Sequence, residues 1–258
     1  MLFEMRIYEA APGRLPDLVE RIGSAMPPFF DRHGFGERLG QWVVTTGADP
    51  RFAWLVAWPS FESRAAAFAG LGGDSDWNKL RIATNGPGEM VRRYDLRFLS
   101  SAAAGREASI EIQRSQKTLY EWRVHGVQVG RSAAAADALT TIDLPHLSRN
   151  GADLIGVFDN LSGPSVPGVS MLLGWSSYEA RQEGLAAYEL RPEVMARRAE
   201  ERRLLAGEHA LGSLETTLLK PTLYGTPDAE HIRTLLNQGS AEPGRRVASN
   251  ADLIARRL

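Results

Sequence analysis

Trp58-Pro-Ser-Phe-Glu-Ser-Arg64 and Trp175-Ser-Ser-Tyr-Glu-Ala-Arg181 lie 117 residues apart and read almost alike. The same offset pairs Glu4-Met-Arg6-Ile-Tyr8 with Glu121-Trp-Arg123-Val-His125, and Gly13-Arg14 with Gly130-Arg131. It also sets Arg32 and Gly34 opposite Arg149 and Gly151. One spacing that recurs over separated segments without a gap points to two copies of one unit of roughly 100 residues. The expected organisation is a first unit over 1–100, a small-residue linker over 101–116, a second unit over 117–221 and a tail over 222–258. The tail has no counterpart in the first unit, and it is expected to pack on a neighbour or to act as a lid.

Within the first copy, Phe3, Met5 and Ile7 alternate with Glu4, Arg6 and Tyr8, the two-residue period of a strand. Leu15, Leu18, Val19, Ile22 and Met26 recur at helical spacing up to Phe30, and Gly34 follows as a C-terminal stop. Leu39–Thr45 and Phe52–Trp58 read as strands. Ser60 is placed to cap a helix to Leu71, Asp76–Ala83 adds a short helix, and Met90–Leu99 is the last strand. The second copy gives the same βαββαβ string. The fold class is therefore α+β, two ferredoxin-like units with one sheet face each left to cover. Burying those faces against each other is a physical reason for having two copies.

Composition narrows the partners. A net charge of -1 leaves no electrostatic footprint for nucleic acid or an anionic membrane. No apolar run is long enough to span a bilayer, and the opening Met1-Leu-Phe-Glu-Met-Arg6 is not a signal peptide, so a cytoplasmic location is expected. With no cysteine there is no disulfide, thiolate metal site or cysteine nucleophile. No pair of histidines has metal-ligand spacing, and no phosphate-binding or nucleophile-elbow pattern occurs.

The ordered set Glu4-Met-Arg6-Ile-Tyr8, Pro12-Gly13, Arg32-His33-Gly34, Trp42, Trp58 to Arg64 and Asp76-Trp77 resembles the NIPSNAP domain of the dimeric α/β-barrel superfamily. The second copy keeps Glu121, Arg123, Gly130, Trp175 and Arg181. It departs at His125 for Tyr8, Asn150 for His33, Asp159 for Trp42 and Val194 for Trp77. The resemblance implies two units arranged as a barrel. It leaves activity open, because the superfamily spans cofactor-free monooxygenases, isomerases, cyclases, haem enzymes and proteins without assigned activity.

Candidate site residues follow from chemistry. Glu4, Arg6 and Tyr8 share one strand face, where a guanidinium and a phenol can polarise an oxygen-rich substrate. The competing reading is an ion pair at the contact between the two sheets, since Glu121 and Arg123 repeat it. His33 and His125 are acid–base candidates, the first also suited to the negative end of its helix. Arg123 is a substrate-binding candidate. Trp42 and Trp77, read as peculiar to the first copy, are expected to line an aromatic pocket there, while Trp58 and Trp175 are expected core anchors. His146, on the matching helix four residues before Asn150, is a weaker candidate than His33, and His209 and His231, without matching partners, are expected at the surface.

Three functional readings stand. The leading one is a small-molecule enzyme doing cofactor-free oxygenation, isomerisation or cyclisation, with its pocket in the first unit between sheet and helices. The others are a non-catalytic ligand- or partner-binding module, with homodimer formation open, and haem binding through His125 or His33.

Overall fold

The computed structural model describes residues 1–113, 115–204 and 209–238. The first unit comprises β1 (Leu2–Ala10), α1 (Leu15–Glu20), α2 (Pro27–Arg32), β2 (Glu37–Val44), β3 (Arg51–Trp58), α3 (Phe61–Gly73), α4 (Ser75–Asn85) and β4 (Val91–Ser101). After α5 (Ala103–Glu107) the second follows: β5 (Leu119–Val127), α6 (Ser132–Ala138), α7 (Leu144–Arg149), β6 (Asp153–Asn160), β7 (Gly168–Trp175), α8 (Tyr178–Glu189), α9 (Pro192–Leu204) and β8 (Leu211–Pro221). A last helix, α10, spans Ala229–Gln238.

The eight strands close into one barrel in the order β1-β3-β2-β8-β5-β7-β6-β4. Two short seams join the units. At one, Trp42, Val43 and Val44 pair with Pro221, Lys220 and Leu219; at the other, Leu99, Ser100 and Ser101 pair with Asn160, Asp159 and Phe158. Strand alternation decides what fills the barrel. Phe3, Met5 and Ile7 of β1 point inward and meet Tyr120, Trp122 and Val124 of β5 in one buried cluster. Phe3 and Phe158 touch across the units with ring centroids 5.3 Å apart, and Trp42 and Tyr120 at 5.9 Å. The other strand faces carry Glu4, Arg6 and Tyr8 outward to the helices. The sheet–sheet location expected for the Glu–Arg pair is therefore corrected: it lies between sheet and helix, because the apolar positions alternating with it take the interior.

The single helix expected over Leu15–Phe30 is instead two helices separated by a wide turn, Arg21–Ala25. Its cause is proline. Pro27 has no N–H to continue the regular ladder, and Met26 N–H reaches back five residues to the Arg21 carbonyl at 2.9 Å. Pro145 follows the matching wide turn Leu139–Asp143 in the second unit.

Two further sequence expectations change. The constant offset breaks in the strands after these helices: Trp42 pairs with Ala53, and Phe158 pairs with Ser170. The counterpart of Trp42 is thus Phe158, not Asp159, one residue being missing before β6. The linker is not bare, since Ala102 and Ala104 are buried in the second unit's core and a Cβ on Gly105 of α5 would lie 2.6 Å from Val157. The tail up to Gln238 packs on this chain's own barrel. Ile232, Leu235 and Leu236 of α10 join the interior cluster, and Arg233 donates to the Leu154 carbonyl at 2.9 Å. His231 pairs with Glu37 on the opposite wall, so α10 crosses one end of the barrel from β6 to β2. The remaining tail, 239–258, lies outside the described residues. Among the described residues, no helix is long and apolar enough to cross a membrane.

Candidate functional site

Each Trp-x5-Arg segment ends a strand, turns at a serine and starts a helix. Ser60 and Ser177 cap α3 and α8, accepting from Ser63 N–H at 3.2 Å and Ala180 N–H at 3.1 Å. That turn aims the tryptophan and the arginine at one buried glutamate. Glu4, 0% exposed, accepts from Trp58 Nε1 at 3.0 Å and from Arg64 Nε and Nη2, both at 2.8 Å. Glu121 is held the same way by Trp175 Nε1 at 3.0 Å and by Arg181 at 3.0 and 2.8 Å. The motif that reveals the repeated segments is thus a charge-assisted clamp fastening α3 and α8 to the first strand of their units.

Above the first clamp lies a cavity of about 390 Å³ between β1, β3, β4 and the helices. Phe30, Phe35, Trp54, Phe68, Trp77 and Tyr94 give it aromatic walls, and Arg6, Arg21, Arg64 and Tyr8 give it polar groups. Arg6 donates Nη1 to Glu4 at 2.5 Å and Nε to the Tyr8 hydroxyl at 2.8 Å, with its guanidinium carbon 4.7 Å from the Phe68 ring centroid. Burial raises the Tyr8 pKa despite Arg6, so this phenol keeps its proton at neutral pH. Arg21 enters from the wide turn, bonds Asn85 Oδ1 at 2.6 Å and lies 5.8 Å from the Trp77 ring centroid. Among the described residues, no carboxylate and no histidine lines this cavity.

The structure thus brings Arg6, Tyr8 and Trp77 together and leaves two expected residues aside. His33 does not line the cavity; its Nε2 meets Asp74 Oδ2 at 2.7 Å, and its ring packs by Gly70. This contact and the Trp77 and Asp76 N–H groups hold the Asp74 carboxyl far below the ordinary carboxylate range, as befits the cap of α4. Trp42 is 0% exposed inside the barrel and cannot reach the cavity, because its strand face is the inward one.

A second cavity of about 370 Å³ occupies the corresponding place in the second unit. Its walls carry Met171 for Trp54, Leu147 for Phe30, Tyr188 for Leu71 and Val194 for Trp77. Arg123 and His125 line it, with Asp143, which accepts from the Tyr188 hydroxyl at 2.5 Å. Burial raises the Asp143 pKa, and burial with the Asp143 charge raises that of Tyr188. His125 is pushed down to about 4, by burial first and then by Arg123 and Arg198. Those guanidinium groups would also stand beside the cation of a haem iron, so this histidine is a poor fit as its axial ligand.

A pH dependence follows. Below pH 6.5 the unfolded chain protonates this histidine, whereas the folded chain refuses the proton until about pH 4. Stability is therefore expected to fall by up to about 3 kcal/mol between pH 6.5 and 4, with little further loss from this group below that. Urea unfolding across the range measures it, and His125→Gln should flatten the slope.

Arg64, Arg21, Tyr94, Asp143 and Tyr188 were not among the sequence candidates. Arg64 was visible in the Trp-x5-Arg spacing and Arg21 in the approach to Pro27-Pro28, whereas Tyr94, Asp143 and Tyr188 carry no local signal.

Residues 3–104 match the NIPSNAP family model. The NIPSNAP match thus covers the first unit and its aromatic cavity. An uncharacterized NIPSNAP domain protein from Burkholderia xenovorans is 22% identical, with 40% of this chain and 96% of that one covered and a TM-score of 0.32. A putative monooxygenase from Lactobacillus acidophilus is 9% identical over 84% of this chain and 92% of that one, TM-score 0.46. A chlorite dismutase variant from Candidatus Nitrospira defluvii is 6% identical over 93% and 95%, TM-score 0.50. This last similarity spans both units and shows a shared fold alone. No curated protein matches the chain.

Proposed function

We propose that the chain is a small-molecule enzyme whose first cavity binds a planar aromatic molecule with an acidic oxygen and holds it as an anion. The supporting observation is the lining: aromatic walls and three arginines, with no carboxylate or histidine among the described residues. Aromatic faces supply apolar area and ring contacts, and Arg6 and Arg21 supply positive charge in a largely buried place, where it acts more strongly than in water. The protonated Tyr8 hydroxyl is fixed by Arg6 and can donate to the same oxygen. An enolate or phenolate so held is electron-rich at carbon, the starting point for isomerisation, cyclisation or cofactor-free reaction with oxygen. Because the lining offers no general base, the substrate must arrive ionised or lose its proton to water.

That missing base favours a second reading, a binding module without turnover. Two measurements separate them. 1-Hydroxy-2-naphthoate, a fluorescent planar acid, should bind at least tenfold more weakly to Arg6→Gln than to the parent chain, since a charge-assisted contact is lost. The α-hydrogens of 2-tetralone should exchange with deuterated solvent faster in the presence of the parent chain than of Arg6→Gln. Naphthoate binding without such exchange would favour the module, and equal naphthoate binding by both chains would remove Arg6 from the site.

A further inference from the structure

Arg123 is only 8% exposed, yet its Nε has no hydrogen-bond partner among the described residues. Its nearest carboxylate oxygen, Glu121 Oε1, is 3.5 Å away, and Glu121 is already engaged by Arg181 and Trp175. The corresponding Arg6 does not share this state, because Tyr8 accepts from its Nε. Placing His125 where the first unit has Tyr8 removes that acceptor, so the second guanidinium keeps donor capacity at the wall of the second cavity. A buried guanidinium with an unused donor carries a desolvation cost that an incoming acceptor relieves.

We propose that the second cavity is a binding site for an aliphatic carboxylate, whose oxygens accept from Arg123 while its chain lies along Leu139, Leu147 and Met171. The chemistry of the ligand follows from the walls. A carboxylate matches the planar donor fork of one arginine. A dianionic phosphate fits less well than a monoanion, since Asp143, Glu189 and Glu201 share the walls and Arg197 is committed to Glu201 at 3.1 Å and to the Ala134 carbonyl at 3.2 Å. An aliphatic body is favoured over an aromatic one because Met171 and Leu147 stand where the first cavity has Trp54 and Phe30. The Tyr188–Asp143 pair adds a polar stretch to the same wall. This site does not depend on what the first cavity binds.

The test is calorimetric titration of hexanoate into the full chain. Saturable binding is expected, weakened tenfold or more by Arg123→Gln and less by Arg123→Lys, which keeps the charge but not the fork. The variants should stay folded, because Glu121 keeps Arg181 and Trp175. An independent reading needs no Arg123 variant: hexanoate should shift the His125 ring-proton resonance, assigned by its disappearance in His125→Gln. Absence of saturable binding, equal affinity in Arg123→Gln, or binding that leaves the His125 resonance in place would each overturn the proposal.

Discussion

Replacing Glu4 by alanine is expected to destabilise the chain by about 3–5 kcal/mol, the range for removing one partner of a buried charged group. The carboxylate is the common acceptor for Trp58, Arg6 and Arg64, and it is fully buried. Its loss leaves two guanidinium groups facing each other and an indole N–H without a partner. Glu4→Gln keeps the shape and one acceptor but places an amide among donors, so it should fall between the parent and the alanine variant. Glu121→Ala should cost a similar amount, because Trp175 and Arg181 make the same contacts. Urea unfolding monitored by tryptophan fluorescence checks this, and a cost under about 1 kcal/mol for Glu4→Ala would show that the clamp adds little to stability.

Trp42→Ala should also cost about 3–5 kcal/mol, the toll of emptying a buried indole site, while leaving naphthoate affinity within twofold of the parent. Its ring lies inside the barrel against Tyr120, with the sheet between it and the first cavity. Its Nε1 is buried without a partner, so Trp42→Phe should lose much less than the alanine variant: part of the volume remains and an unsatisfied donor disappears. A selective loss of naphthoate binding in either variant would place Trp42 in the site after all.

These two residues show what was legible in the sequence. The period-two pattern of β1 told which side chains share a face, and the spaced Trp-x5-Arg segments exposed two similar units; together they led to the barrel. Which face turns inward was not readable from β1, since Phe3-Met5-Ile7 and Glu4-Arg6-Tyr8 can each be buried when the charges are paired. That decision is taken by Trp58 and Arg64, 54 and 60 residues away in sequence from Glu4. Trp42 was misread for a different reason. A single missing residue before β6 shifts strand register by one, and in a strand one residue exchanges the faces. The titratable groups of the second cavity were hidden because Asp143 and Tyr188 lie 45 residues apart and meet only through the packing of the wide turn on α8.

The position of α10 also has a consequence in time. Ile232, Leu235 and Leu236 come after all eight strands in chain order, yet they seal one end of the barrel. A chain emerging from the ribosome can assemble its strands while that end still shows apolar surface to water. For the interval between the synthesis of β8 and that of α10, about a second to a few seconds at roughly 5–20 residues per second, the nascent barrel is a sticky object, and shielding by chaperones matters most then.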